Sequence, residues 1–406
     1  MSFKQLDLSP SLLAALPDSI KLPTKIQQLA IPIALQNHDL LALAQTGSGK
    51  TLAFGLPLLH TINPLLAHIQ ALVIVPTREL ATQVTTALQA ISNPLNIKLV
   101  TLCGGTSQTQ QLVRIDNGAQ LIVATPGRLL DLLQQKRLTL DQTKQLVLDE
   151  ADRLLEMGFW PELQKIIEFI PVTHQTLLYS ATLPAALEYK AAQILQQPRR
   201  VEAHSINSVV ESIEERLYLV NKGNKAKVLL WLIEQNQWPQ VLVFISARDS
   251  ADSFAKKLRK AGLNASALHG EKDQLERQQT LKDFHHGKLQ VIVATDVLAR
   301  GIHIDALPAV INLDLPANAP VYVHRVGRTA REGQTGVAIS LVSHSEIDAL
   351  NAIRKLTARE LPLAEIAEFP VTDKPASGQS KRPPRDKQAN RRTAKRRNEK
   401  RFKPRS

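Results

Sequence analysis

Short apolar runs alternate with longer stretches of helical spacing along most of this chain, the pattern of parallel α/β folds. In the first half, Leu40–Ala44, Leu72–Val75, Leu121–Ala124, Leu146–Leu148 and Thr176–Tyr179 read as buried strands. Val241–Ile245, Val291–Ala294, Val310–Leu313 and Val337–Leu341 repeat the pattern in the second. Between the two sets, Ala203–Glu214 is polar and without a strong period, so a linker is expected there. Two α/β domains follow, residues 1–205 and 206–368, facing each other across a cleft. From about Phe369 onward Pro, Ser, Gly, Gln, Lys and Arg dominate and aliphatic residues nearly vanish. Such a segment buries too little surface to offset its chain entropy, so 369–406 is expected to be a disordered tail.

A length of 406 residues agrees with two domains, since it exceeds what one core usually organises. Charge changes the picture more. The net charge is +13, and from Lys374 to Ser406 fourteen Lys or Arg residues face only Asp386 and Glu399. That segment therefore carries +12 and everything before it +1, so basicity is a property of the tail. The single Cys103 cannot form an intramolecular disulfide and reads as a small buried residue. Met1 to Pro10 has no basic stretch leading into an apolar run. No segment approaches the roughly 18 apolar residues of a membrane span. A cytoplasmic, monomeric protein with no membrane partner is expected.

Candidate chemistry begins at Ala44-Gln45-Thr46-Gly47-Ser48-Gly49-Lys50-Thr51, which follows an apolar strand and opens a helix. Its glycines let backbone N–H groups curl around phosphate oxygens, and the helix N-terminus adds a favourable dipole. Lys50 can reach the β and γ phosphates and the Thr51 hydroxyl can bind Mg²⁺. Ala44 stands where the usual pattern has glycine. A plain turn between strand and helix is the alternative, and the complete strand, Gly-Ser-Gly-Lys-Thr and helix sequence disfavours it. A second acidic element should close a neighbouring strand, and Gln145–Leu148 runs into Asp149-Glu150-Ala151-Asp152. Asp149 is a candidate Mg²⁺ ligand, and Glu150 a candidate group to orient or deprotonate the attacking water.

Asp149-Glu150-Ala151-Asp152 spells the motif that names the DEAD-box RNA helicases, and the chain resembles that family over roughly residues 3 to 342. The resemblance implies two tandem RecA-like domains, ATP and Mg²⁺ as cofactors, and RNA as partner. Pro23-Thr24-Lys25-Ile26-Gln27 is similar to the adenine-reading element, which implies that Gln27 bonds adenine with Phe3 as the upstream aromatic. Pro76-Thr77-Arg78-Glu79-Leu80, Gly104-Gly105 and Thr125-Pro126-Gly127-Arg128 resemble the elements that hold RNA phosphates without reading bases. Ser180-Ala181-Thr182 resembles the segment that couples hydrolysis to unwinding. In the second half, His269-Gly270 with Gln274 and Arg277 resembles an RNA-contacting stretch. The segment from Ala294 to Gly301 resembles the one touching both RNA and nucleotide through Thr295 and Asp296. His324-Arg325-Val326-Gly327-Arg328-Thr329-Ala330-Arg331 resembles the arginine motif. The resemblance implies that Arg328 and Arg331 reach the γ-phosphate, that Arg325 supports them, and that His324 joins the coupling set.

Ser19-Ile20, His303 and Ala330 depart from the commonest family pattern, in place of a Gly-aromatic pair, an aspartate and a glycine. Loss of the ring predicts weaker nucleotide affinity or base selectivity. The resemblance implies an RNA-dependent ATPase that closes its cleft on ATP and RNA and unwinds duplexes locally. The basic tail is expected to act as an RNA tether, with a disordered solubilising extension as the alternative, and ribosome assembly or RNA remodelling is a compatible setting. A DNA translocase and a non-catalytic RNA clamp are the competing readings. His285-His286 lack a partner at ligand spacing and are expected to be surface residues.

Overall fold

The computed structural model describes residues 2–45, 47–203, 213–296, 307–329 and 335–374, with backbone alone at 248, 249 and 274. Seven parallel strands build the first sheet: β1 Leu40–Leu43, β2 Ala71–Ile74, β3 Leu99–Leu102, β4 Leu121–Ala124, β5 Gln145–Leu148, β6 Gln175–Ser180 and β7 Arg199–Glu202, in the order β3-β4-β2-β5-β6-β1-β7. Seven more build the second: β8 Ile213–Leu219, β9 Val241–Phe244, β10 Ala265–Leu268, β11 Val291–Ala294, β12 Ala309–Asn312, β13 Gly336–Val342 and β14 Leu363–Ala364. Their order, β10-β11-β9-β12-β13-β8-β14, repeats that of the first sheet strand for strand.

The central strands are apolar at nearly every position because helices cover both faces of each sheet. Alternation then sorts their side chains: Ala71 and Val73 of β2 enter one core with Phe54 and Tyr179, while Leu72 and Ile74 enter another with Trp160 and Leu163. The second sheet does the same, sending Val241 and Val243 to one side and Leu242 and Phe244 to the other. Strands missing from the apolar pattern are those with polar alternation or a peripheral place. β7 is Arg-Arg-Val-Glu at an edge, and β8 carries three charged residues. β8 begins inside the expected linker, which therefore ends at residue 212, and the domain boundary at 205 lies outside the described residues.

The start of the expected disordered tail is folded. Phe369 stacks edge-on against Trp231, with ring centroids 6.0 Å apart. The Asn221 Oδ1 accepts from Thr372 N–H at 2.9 Å and from Asp373 N–H at 2.8 Å. One aromatic ring and one asparagine clasp supply what the window's composition does not. Residues from 375 onward lie outside the described ones.

Parallel strands put all their carboxyl ends on one edge, where open α/β sheets bind ligands. Each first-half motif leaves such an end: residues 44–51 follow β1, Pro76–Arg78 follow β2, Gly104-Gly105 follow β3, Thr125 follows β4, Asp149 follows β5 and Thr182 follows β6. In the second sheet, His269 follows β10, Thr295 and Asp296 follow β11, and the helix Ala319–Val326 is reached from β12.

Candidate active site at the domain seam

Lys50 is the first residue of the helix Lys50–Thr61 and is buried, its Nζ donating to the Ala44 carbonyl at 2.9 Å. Gly47 and Gly49 hold left-handed backbone, φ 83° and 89°, which is why glycine is needed to turn the loop. The loop is gripped from the helix Lys25–Leu35. Thr-x-x-Gln is a capping-box pattern, and Gln27 Oε1 accepts from the Thr24 N–H at 2.9 Å. The same two side chains also reach the loop: Gln27 Nε2 donates to the Gly49 carbonyl at 2.9 Å and the Thr24 hydroxyl to the Ser48 carbonyl at 2.8 Å. Gln27 thus stands beside the phosphate loop, and its amide, expected to bond adenine, is engaged with that loop. Phe3 is buried in the hydrophobic core with Leu6, Leu8 and Leu12, and Ile20 packs against the same cluster. Thr46 lies outside the described residues.

At the end of β5, Asp149 and Glu150 are both buried. Burial pushes the Asp149 carboxyl up to about 6, with Lys50 opposing and Glu150 adding to the rise. Glu150 adopts a left-handed backbone, φ 52°, a costly conformation for a residue with a side chain. Its N–H is held by Asp149 Oδ1 at 2.9 Å, and its carboxylate pairs with Arg153 at 2.5 Å. Arg153 is fully buried, and its Nε and Nη2 find no hydrogen-bond partner among the described residues. Sequence reasoning passed over Arg153, although a basic residue three places after an acidic one at a helix start was its signal.

Asp152 joins both halves of the molecule. Its Oδ2 accepts from the Thr182 N–H at 2.9 Å, the Thr182 hydroxyl at 2.7 Å and His324 Nε2 at 3.1 Å. Burial alone would raise this carboxyl, but His324, Thr182 and Arg153 hold it well below the usual carboxylate range. Burial in turn pushes the His324 imidazole below its usual value, so at neutral pH it donates Nε2–H as a neutral ring. Ser180 completes the unit by donating to the Thr182 carbonyl at 2.7 Å.

Arg325 is saturated rather than poised. Its Nε and Nη2 grip both Asp296 oxygens at 2.6 and 2.9 Å, and its Nη1 donates to Asn312 Oδ1 at 3.1 Å and the Asp314 carbonyl at 2.6 Å. The guanidinium also lies 4.9 Å from the Phe244 ring. It therefore braces Asp296 inside the second domain. Arg328 is buried at the end of the same segment, with Nε 3.4 Å from the His324 carbonyl. Arg331, Ala330 and His303 lie outside the described residues.

The expected RNA-facing set is only partly free to meet a ligand. Arg78 lies against Gly104 and Gly105, where a Cβ on Gly105 would collide with the guanidinium. Arg128 Nη1 reaches the Thr106 carbonyl beside them at 3.4 Å, and Gly127 is open. Thr77 instead caps the helix Arg78–Ser92, accepting from the Leu80 N–H at 3.3 Å, with Pro76 buried before it. Thr125 and Pro126 open the helix Pro126–Gln134, and Thr295 is buried with its hydroxyl lacking a partner among the described residues. Arg277 pairs across the seam with Glu79 at 3.0 Å, a contact its spacing could not disclose. Cys103 is buried under this face, and burial pushes its thiol up to about 11. His285 and His286 are exposed.

A phosphate loop on one parallel sheet, met at the carboxyl edge by a basic helix from a second, defines a two-domain nucleotide-binding protein of the phosphate-loop class. Residues 24–189 match the family model for DEAD/DEAH box helicases, and residues 224–333 that for the helicase conserved C-terminal domain. The chain is 37% identical over 381 residues to the probable ATP-dependent RNA helicase DDX23 of Homo sapiens, covering 85% of this chain and 46% of that relative. It thus spans about half the length of DDX23. It is 36% identical over 380 residues to the DEAD-box ATP-dependent RNA helicase CshA of Bacillus subtilis, covering 93% of this chain and 76% of CshA. The solved structure of S. cerevisiae Dbp5 bound to RNA and ADP BeF3 matches with a TM-score of 0.82 at 33% identity, over 90% of this chain and 95% of that one. This chain belongs to the DEAD-box ATP-dependent RNA helicase family.

Proposed function

We propose that the protein is an ATP-dependent RNA helicase whose cleft closes on ATP and RNA, hydrolyses the nucleotide and separates short duplexes. The observation that carries this reading is the buried contact between His324 and Asp152, 3.1 Å apart. It joins the arginine segment of one domain to the acidic strand end of the other. In this reading Lys50 leaves the Ala44 carbonyl to meet the β and γ phosphates. Glu150 orients or deprotonates the attacking water, and Arg328 and Arg331 face the charge that develops on the transferred phosphoryl group. Gln27 senses the base through the loop it grips. Ser180, Thr182 and His324 relay the state of the nucleotide to the seam.

The donor set also supports Mg²⁺. Asp149 is a carboxylate whose burial raises its pKa, a shift that a nearby cation would oppose, and Thr51 offers a hydroxyl; both are hard oxygen donors. Among the described residues no group of three or more His, Cys, Asp or Glu could hold a metal, so substrate phosphates would complete the shell. When bound, Mg²⁺ supplies neutralisation of phosphate charge.

Arg78, Gly104, Gly105, Thr125, Gly127, Arg128 and Thr295 offer the RNA backbone a surface of donors and small residues. Arg277 serves RNA indirectly through Glu79. The tail beyond residue 374 tethers structured RNA electrostatically, and affinity should fall steeply with salt. No helix among the described residues is long and apolar enough to cross a membrane. In this reading the protein works as a cytoplasmic monomer in ribosome assembly or RNA remodelling. Phosphate release from ATP is the test, measured alone, with single-stranded RNA and with single-stranded DNA. Stimulation by RNA alone is expected; equal rates in all three would sink the coupling, and equal stimulation by DNA would favour a DNA translocase.

A further inference from the structure

The helix Ala319–Val326 begins at Asn318, and that residue does not do the work its position suggests. An asparagine preceding a helix ordinarily accepts from an N–H of the first turn. Asn318 has extended backbone, φ −109° and ψ 119°, and makes no side-chain cap bond. Its Nδ2 instead donates across the seam to Glu156 Oε1 at 2.9 Å. Glu156 closes the short helix Ala151–Glu156, one turn beyond Asp152. The two helices are therefore joined twice, Asp152 to His324 and Glu156 to Asn318, which sets them antiparallel. The first joint is buried and belongs to the chemistry; Asn318 at the second is exposed on the rim.

We propose that Asn318 and Glu156 form a second latch, a positioning pair that fixes the angle at which the second domain's helix meets the first. The helix carries His324 directly and delivers Arg328 just beyond its end, so a tilt about the His324 joint alone would move Arg328. A second joint at the other end removes that freedom. The cap is forgone for a bond that exists only when the domains meet, so the pair acts on the closed state and not on either fold. This inference rests on the helicase reading, because it assumes the closed seam is the working state.

The test exchanges the polarity of the bond in the full-length chain. N318D sets two carboxylates face to face while keeping a residue that suits the start of a helix. E156Q keeps an acceptor for the Asn318 amide. N318D/E156Q restores one hydrogen bond in the reverse sense, with the introduced glutamine amide donating to the introduced aspartate. RNA-stimulated ATP turnover is measured against RNA concentration, with the thermal midpoint of each variant alongside. N318D should lower kcat/KM for RNA about fivefold or more, the scale of a lost coupling between ligand and closure. E156Q should stay within about twofold and the double variant should recover to within about twofold, since a neutral hydrogen bond replaces a charge-assisted one in the first and the charge-assisted bond returns in the second. All three should keep the wild-type thermal midpoint. An N318D protein as active as wild type, or a double variant no better than N318D, would overturn the latch while leaving the helicase reading intact. A wild-type protein that RNA does not stimulate would sink that reading, and the latch with it.

Discussion

Arg325 separates a scaffold role from a ligand role, because its position in the arginine motif and its surroundings point different ways. The perturbations are Arg325→Ala and Arg325→Lys. In the wild-type protein its fork spans Asp296 and also reaches Asn312 and the Asp314 carbonyl, with the side chain fully buried. Removing one member of a buried ion pair typically costs about 3–5 kcal/mol, because the remaining charge stays behind uncompensated. The Asp296 side chain is 26% exposed, so part of its charge is rehydrated, which favours the lower end, about 3 kcal/mol. Lysine keeps the charge but cannot hold two oxygens at once, and about 1–2 kcal/mol should be lost. Urea unfolding followed by tryptophan fluorescence suits the question, since Trp231 and Trp238 report the second domain and Trp160 the first. Turnover should fall only as far as Asp296 is disturbed, with a small change in KM for ATP. An Arg325→Lys protein as stable as wild type, but with KM for ATP raised about tenfold or more, would refute the reasoning and return Arg325 to the phosphates.

Gly49→Ala places a Cβ 2.5 Å from Gln27 Nε2 and 2.9 Å from the Thr24 hydroxyl, at a φ of 89°. Titration with a fluorescent ATP analogue should show affinity weakened at least about tenfold, or roughly 1.4 kcal/mol; unchanged affinity would contradict the clamp. Burial would raise the Glu346 carboxyl, but Lys225, 2.6 Å away, and Ser343 hold it below the usual range. A depressed carboxylate stabilises the fold above its unfolded pKa, near about 4.3, and loses that contribution as pH falls through the folded value. Glu346→Gln should therefore flatten the acid limb of a stability-versus-pH curve below about pH 4. With its thiol pushed up to about 11, Cys103 should be roughly one thousandth thiolate at about pH 8. Iodoacetamide labelling of the folded chain should be slow there, quicken towards about pH 11, and be fast at about pH 8 once the chain is unfolded in urea.

What could be read from the sequence was whatever is local. The phosphate loop needs glycines beside one lysine and one threonine on a strand-to-helix turn, and all of these are neighbours in the chain. The central strands announce themselves because both faces are covered. Residues whose contacts are set by a distant partner were found by position, but those contacts were not foreseen. Arg277 was expected on RNA and meets Glu79, Arg325 was expected near nucleotide and braces Asp296, and Thr77 caps its own helix. Phe3 shows the limit from the other side: an aromatic ring beside a ligand element is also a large apolar group, and the core has taken it. β3, β7, β8, β10 and β14 escaped the apolar pattern because edge position or polar alternation removes the signal on which it rests. Phe369 escaped because one ring cannot lift the average of a Pro- and Lys-rich window.

The two sheets share one strand order, yet they bring different chemistry to their shared seam. The first supplies acids beside its phosphate cradle, and the second supplies histidine, arginine and asparagine. The seam contacts described above keep this division: Glu79, Asp152 and Glu156 come from the first domain, and Arg277, His324 and Asn318 come from the second. Closing the cleft therefore strips water from carboxylates each time, a cost that opposes the attraction gained. Such a seam is suited to a motor. Closure opposed in this way can be tipped by nucleotide and RNA together, and each ligand then strengthens the binding of the other by the same factor. A greasy interface would hold the domains shut after hydrolysis, whereas a seam of this polarity would let the proposed helicase reopen once the γ-phosphate is gone.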